Sequence, residues 1–230
     1  MKGRTELITG LDVDTREEAL AAVDIAAGCE WFKIGAQLFT RCGPAIVEAV
    51  QAKGKNVFLD LKYHDIPNTV AKASKAAADL GARLVTLHAS GGKAMIAAAR
   101  DAVEGTEARL LAVTVLTSLT DDMLRDEIGI PETAAEAVPR LANIAVEAGA
   151  HGVVCSPREI AMVRDAVGPA PLIVTPGIRP KWAAKDDQAR IMTPREAAEA
   201  GADMIVVVRP ILKHENPPEA VRLIQEELQG

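Results

Sequence analysis

This chain is built on a repeat: a short run of branched apolar residues, an Ala-rich amphipathic stretch, then a turn and the next run. Eight such runs follow one another, at residues 7–13, 31–35, 57–61, 84–88, 110–116, 152–155, 172–175 and 204–208. Runs this short, alternating with helix-length segments, describe βα units around a parallel sheet. Gly28, Gly54, Gly81, Gly149 and Gly201 stand where helices must end before strands. Helix starts are marked by Thr15 before Glu17 and Glu18, by Pro44 and Pro67, and by Thr193-Pro194 with Glu196 in the first turn.

The apolar share is 49%, yet only 3% of residues are aromatic, so Ala, Val, Leu and Ile carry the core, as where Ala-rich helices pack on Val/Ile-rich strands. No Pro/Ser-rich or low-complexity linker interrupts the series. The expectation is an α/β fold, one closed (β/α)8 TIM barrel forming a single domain over residues 1–230. Two segments exceed the minimal repeat, 117–131 and 179–191. The second mixes charges with a lone Trp182 and lacks a helical stripe, and reads as a mobile lid.

A net charge of -6 provides no broad positive field for a nucleic-acid backbone, so any phosphate is bound locally. Cys29, Cys42 and Cys155 are odd in number and form no CxxC, which argues against a disulfide framework or a zinc site. Without a secretory apolar segment or an apolar run near the roughly 18 residues of a membrane span, the expectation is a soluble, cytoplasmic protein.

In an α/β barrel the C-terminal strand ends carry the chemistry, so ionisable residues interrupting apolar strands there are candidates. The densest cluster is Asp60-Leu61-Lys62-Tyr63-His64-Asp65-Ile66-Pro67-Asn68-Thr69. Strand alternation puts Asp60 and Lys62 on one face, where two interior charges are costly unless they are used. Lys33 and Asp12 end two other strands in the same way. Each alone could be a solvated strand-end charge. Together Asp12, Lys33, Asp60, Lys62 and Asp65 form an alternating set able to neutralise itself around a ligand. His88 ends the fourth run and reads as a satisfied core histidine, since no partner is evident. Ser118 follows the fifth run without a nucleophile elbow and suits hydrogen bonding to a heterocyclic ring. Thr175-Pro176-Gly177-Ile178-Arg179 and Arg209-Pro210 follow the seventh and eighth runs, where barrels often bind phosphate, and Arg209 offers a bidentate fork.

From Asp60 to Thr69 the chain resembles the orotidine 5'-phosphate decarboxylase family, and the likeness continues through Leu11-Asp12, Lys33-Ile34-Gly35, His88-Ala89, Thr117-Ser118, Thr175 to Arg179 and Asp187-Gln188. The resemblance implies conversion of orotidine 5'-phosphate to UMP and CO2, without metal or cofactor. It makes Lys33, Asp60, Lys62 and Asp65 the catalytic array, with Lys62 stabilising and protonating a carbanion at C6. It assigns Asp12 and Lys33 to the ribose, Ser118 to the pyrimidine, and Gln188 with Arg209 to the phosphate. It also implies a homodimer in which Asp65 and Thr69 reach into the partner's site. One departure stands out: the family usually reads Val-Val-Gly-Arg-Pro, and this chain reads Val206-Val207-Val208-Arg209-Pro210. A β-branched residue there is expected to crowd the phosphate or strain the backbone, weakening substrate binding. Two alternatives stay open: a Mg2+-dependent sugar-phosphate decarboxylase or lyase of the same superfamily, against which Lys33 stands in place of a Glu, and a catalytically silent nucleotide-binding barrel.

Overall fold

The structure is a computed structural model that describes residues 5–183 and 192–229. Eight parallel strands close into a barrel in sequence order: β1 Glu6–Gly10, β2 Trp31–Gly35, β3 Asn56–Tyr63, β4 Leu84–His88, β5 Arg109–Val113, β6 Gly152–Val154, β7 Leu172–Thr175 and β8 Met204–Val207, with β8 pairing back onto β1. Helices connect successive strands. β2, β4 and β7 have the bounds expected from the sequence; β1 and β5 stop at Gly10 and Val113, while β3 runs two residues further, to Tyr63.

Strand alternation sorts the core into two shells. Ile8, Phe58, Leu84, Leu111, Val174 and Met204 fill the barrel interior. Leu7, Phe32, Ile34, Leu59 and Val85 face outward into the larger cluster under the helices. Burying side chains of this size contributes roughly 1.5–3 kcal/mol each, so the interior plug and the helix layer together fix each strand's register. Because Phe32 and Ile34 face outward, Trp31 and Lys33 face inward; Phe58 and Asp60, and Leu84 and Thr86, follow the same rule. Each inward series is apolar at its N-terminal end and polar two residues later, which positions a polar layer directly above the plug.

The helix starts form as their sequences require. Thr15 and Thr193 make capping boxes with Glu18 and Glu196, and Pro67 and Pro194 open their helices. Gly201, at φ 106, closes the helix Pro194–Ala200 in a left-handed conformation that glycine adopts without strain. The segment 117–131 contains one extra helix, Asp121–Asp126, capped by Thr120. Of the segment expected to be a lid, residues 184–191 lie outside the described residues; its two ends are joined by a bridge between Ile178 and Met192 and by Arg179 N–H donating to the Met192 carbonyl at 2.9 Å. No described helix is long and apolar enough to cross a membrane.

Candidate active site

At the C-terminal end of the barrel lies a cavity of about 680 Å³, within the range that encloses a small ligand. Its apolar lining includes Phe58 and Val206 of the interior plug, Val154 packed against that plug, and Val113. Among the described lining residues two are carboxylates, Asp12 and Asp60, and five are cations: Lys33, Lys62, Arg179, Arg209 and Lys213. In a chain whose net charge is -6, this concentration of cationic side chains among the described lining residues favours an anionic ligand.

The charged wall is a chain of ion pairs. Lys33 Nζ is 3.1 Å from Asp12 Oδ1 and 3.8 Å from Asp60 Oδ2. Lys62 Nζ donates to both oxygens of Asp60, at 2.8 and 2.9 Å. The side chains of Lys33 and Asp60 are only 14% and 12% exposed, against 50% for Asp12. Lys33 and Asp60 are thus largely desolvated, where paired charges hold one geometry, while Lys62, 38% exposed, opens onto the cavity. Lys33 stands between the carboxylates of Asp12 and Asp60, the place a divalent cation would need if these two groups were its ligands. Among the described residues no three His, Cys, Asp or Glu groups are arranged to hold a metal ion.

Strict alternation is not what brings Lys62 to Asp60. The pairs Leu59–Val85 and Tyr63–Leu87 leave Asp60, Leu61 and Lys62 of β3 opposite Thr86 alone in β4, so the strand bulges at this point. Lys62 is the one non-glycine residue with positive φ among the described residues, at 52°, a conformation that costs about 1–3 kcal/mol. That turn folds the lysine back over Asp60. Thr86, fully buried, is held in the bulge: its Oγ1 accepts from the Lys62 backbone N–H at 2.8 Å and donates to Asp60 Oδ1 at 2.9 Å. Thr86 was not singled out from the sequence, although its place two residues after Leu84 on an inward-facing series was a usable signal.

Val208 and Arg209 line the same cavity on the β7–β8 side. Val208 has φ -124° and ψ -84°, so it is outside the left-handed region that favours glycine, and bulk is the effect to consider. Its side chain packs toward β1: a Cβ on Gly10 would lie 2.5 Å from Val208 Cγ2. Arg179 and Lys213, given no role from the sequence, add charge to that side.

Other candidates lie apart. Asp65 and Thr69 are exposed and do not line the cavity; Asp65 Oδ1 accepts from the Ile66 N–H at 2.6 Å. Ser118 is exposed one residue beyond Thr117, which does line it. Gln188 lies outside the described residues. His88 is half-buried, its ring centroid 5.4 Å from that of His64. Burial, then the nearby His64 and Lys62, lower its pKa against an opposing pull from Asp60, so it is neutral near pH 7. Cys155 borders the cavity, but burial, reinforced by Glu159, pushes its thiol up to about 12, leaving it protonated and unsuited to nucleophilic attack.

Comparison with known proteins agrees with this geometry. Residues 5–224 match the model of the orotidine 5'-phosphate decarboxylase / HUMPS family. An orotidine 5'-phosphate decarboxylase from Saccharophagus degradans is 51% identical over 226 residues, which cover 97% of this chain and 94% of that protein. One from Trichlorobacter lovleyi is 50% identical, covering 99% and 96%. The crystal structure of orotidine 5'-phosphate decarboxylase from Lactobacillus acidophilus superimposes with a TM-score of 0.88 at 38% identity, covering 99% of this chain and 100% of that one. With the family's match spanning almost the whole barrel and the acid–lysine array seated at its mouth, this chain belongs to the orotidine 5'-phosphate decarboxylase family.

Proposed function

We propose that this chain decarboxylates orotidine 5'-phosphate to UMP in pyrimidine nucleotide biosynthesis, using its own side chains and neither metal nor cofactor. The observation that carries the reading is the Lys62 ammonium held on both oxygens of Asp60 at the mouth of a cationic cavity. When the bond from C6 to the carboxylate carbon breaks, its electron pair stays on C6 in an in-plane orbital that the ring π system cannot delocalise. A fixed ammonium stabilises that charge without reorganising during the reaction. Lys62 then donates a proton to C6, CO2 departs, and UMP remains. Asp60 fixes the ammonium and faces the substrate carboxylate. Two such charges about 4 Å apart repel by roughly 4 kcal/mol at an effective dielectric near 20, a repulsion relieved as CO2 leaves.

Asp12 and Lys33 are suited to the ribose, Ser118 to the pyrimidine, and Arg209 with Gln188 to the phosphate. Remote binding of the phosphate contributes to the reacting centre rather than to ground-state affinity alone. The exposed run from His64 to Thr69, with Ile66 66% exposed, begins two residues after Lys62. It suits a homodimer in which Asp65 and Thr69 complete the partner's site. Cys29, Cys42 and Cys155 are all free thiols, compatible with a reducing cytoplasm.

CO2 release from orotidine 5'-phosphate, measured with and without EDTA, tests the activity. Turnover unchanged by the chelator is expected. Turnover abolished by EDTA and restored by Mg2+ would instead favour the metal-dependent sugar-phosphate branch, and no CO2 release at all would favour a silent binding barrel.

A further inference from the structure

We propose that Thr86 is a positioning residue for the reaction, a single buried hydroxyl that fixes both the Asp60 carboxylate and the backbone turn presenting Lys62. The inference rests on the decarboxylase reading above and adds to it a residue that touches no substrate.

The hydrogen-bond polarity allows one arrangement. The Lys62 backbone N–H can only donate, so Thr86 Oγ1 accepts from it at 2.8 Å. An ionised Asp60 can only accept, so the Thr86 proton points to Oδ1 at 2.9 Å. The hydroxyl is therefore committed at both ends, and it is fully buried. Asp60 Oδ1 receives the Thr86 proton and the Lys62 ammonium together, while Oδ2 receives the ammonium and faces Lys33 Nζ. Rotation of the carboxylate would break several of these contacts at once. Thr86 is also the sole β4 residue opposite the Asp60–Leu61–Lys62 bulge. It bonds the backbone of the last bulge residue and the side chain of the first, spanning the irregularity that gives Lys62 its positive φ.

A threonine that merely filled the barrel interior would be replaceable by the isosteric valine. A positioning threonine is replaceable by serine, which keeps the hydroxyl and loses the methyl. The test measures CO2 release, UMP affinity by calorimetry and thermal stability for wild type, Thr86→Val, Thr86→Ala and Thr86→Ser. For Val and Ala the expected result is a fall in kcat on the order of 100-fold, the scale of a 1 Å misplacement of a reacting group, with UMP affinity within about threefold of wild type. Serine is expected to restore most of the turnover. A Val variant with near-wild-type kcat, a Ser variant as impaired as Val, or parallel loss of kcat and UMP affinity overturns the proposal. Inactive wild type would refute the decarboxylase reading instead. A crystal structure of whichever of the Val and Ala variants folds reads the proposal without reference to activity. Lys62 Nζ displaced from one or both Asp60 oxygens supports it, and an unchanged Lys62–Asp60 pair overturns it.

Discussion

Val208 shows how one side chain shapes the cavity. It lies at the β8 end beside Arg209, and its methyl group occupies space that Gly10 leaves open. Its φ lies outside the left-handed region that favours glycine, and the expected effect is steric: Val208→Gly should raise kcat/KM for orotidine 5'-phosphate by roughly 3- to 10-fold, or about 1 kcal/mol, mostly through KM. Unchanged kcat/KM would mean that valine does not crowd the phosphate. His88 leads to a pH prediction. Its folded pKa is lowered by burial, so on acidification below about 6.5 the unfolded chain takes the proton first and stability falls. The stabilising contribution is present above that pH and lost beneath it. Denaturant unfolding at pH 7.5 and 5.5 should show a smaller acid loss in His88→Gln than in wild type. His151, lowered by burial and by Arg100 and Arg109, retains part of the effect in both.

At the scale of elements, the strands were legible because their apolar runs alternate with helix signals, and the inward place of Asp60 was legible from period two. The bulge in β3 was not. Left-handed positions usually announce themselves as Gly or Asn, and here a lysine occupies one, held by a threonine on the neighbouring strand. Thr86 itself reads as an ordinary β-former. A second cross-element device was equally hidden: Arg164 donates to the carbonyls of Gly168, Pro171 and Gly201 and to Asp203 Oδ2, and Asp203 also accepts from the Ile173 N–H. It ties the end of the helix Ile160–Val167 to the entries of β7 and β8. Arg164→Ala should cost about 2–3 kcal/mol, allowing for the partial exposure of Asp203, and lower Tm by roughly 4–10 °C while kcat holds. A Tm within 1 °C or so of wild type would contradict this role.

For the whole molecule, the sequence made the barrel and its active end legible because parallel βα units close in few ways and place their strand ends together. Asp12, Lys33, Asp60 and Lys62 meet within one chain. Asp65 and Thr69 do not join them within this chain; the homodimer proposed above would bring them to the partner's site. The proposed shared site is tested by mixing Lys62→Ala with Asp65→Ala after partial unfolding and reassembly. Heterodimers would then hold one intact site of two, restoring about a quarter of wild-type activity; a mixture as inactive as its parts would contradict the sharing. The role proposed for Lys62 is that of one ammonium, fixed on Asp60, meeting the charge formed at C6. Its most direct measurement is the turnover of orotidine 5'-phosphate by Lys62→Ala, with UMP binding followed by calorimetry in the same preparation. Turnover is expected to fall by several orders of magnitude with UMP still bound; near-normal turnover would show that Lys62 does not meet that charge.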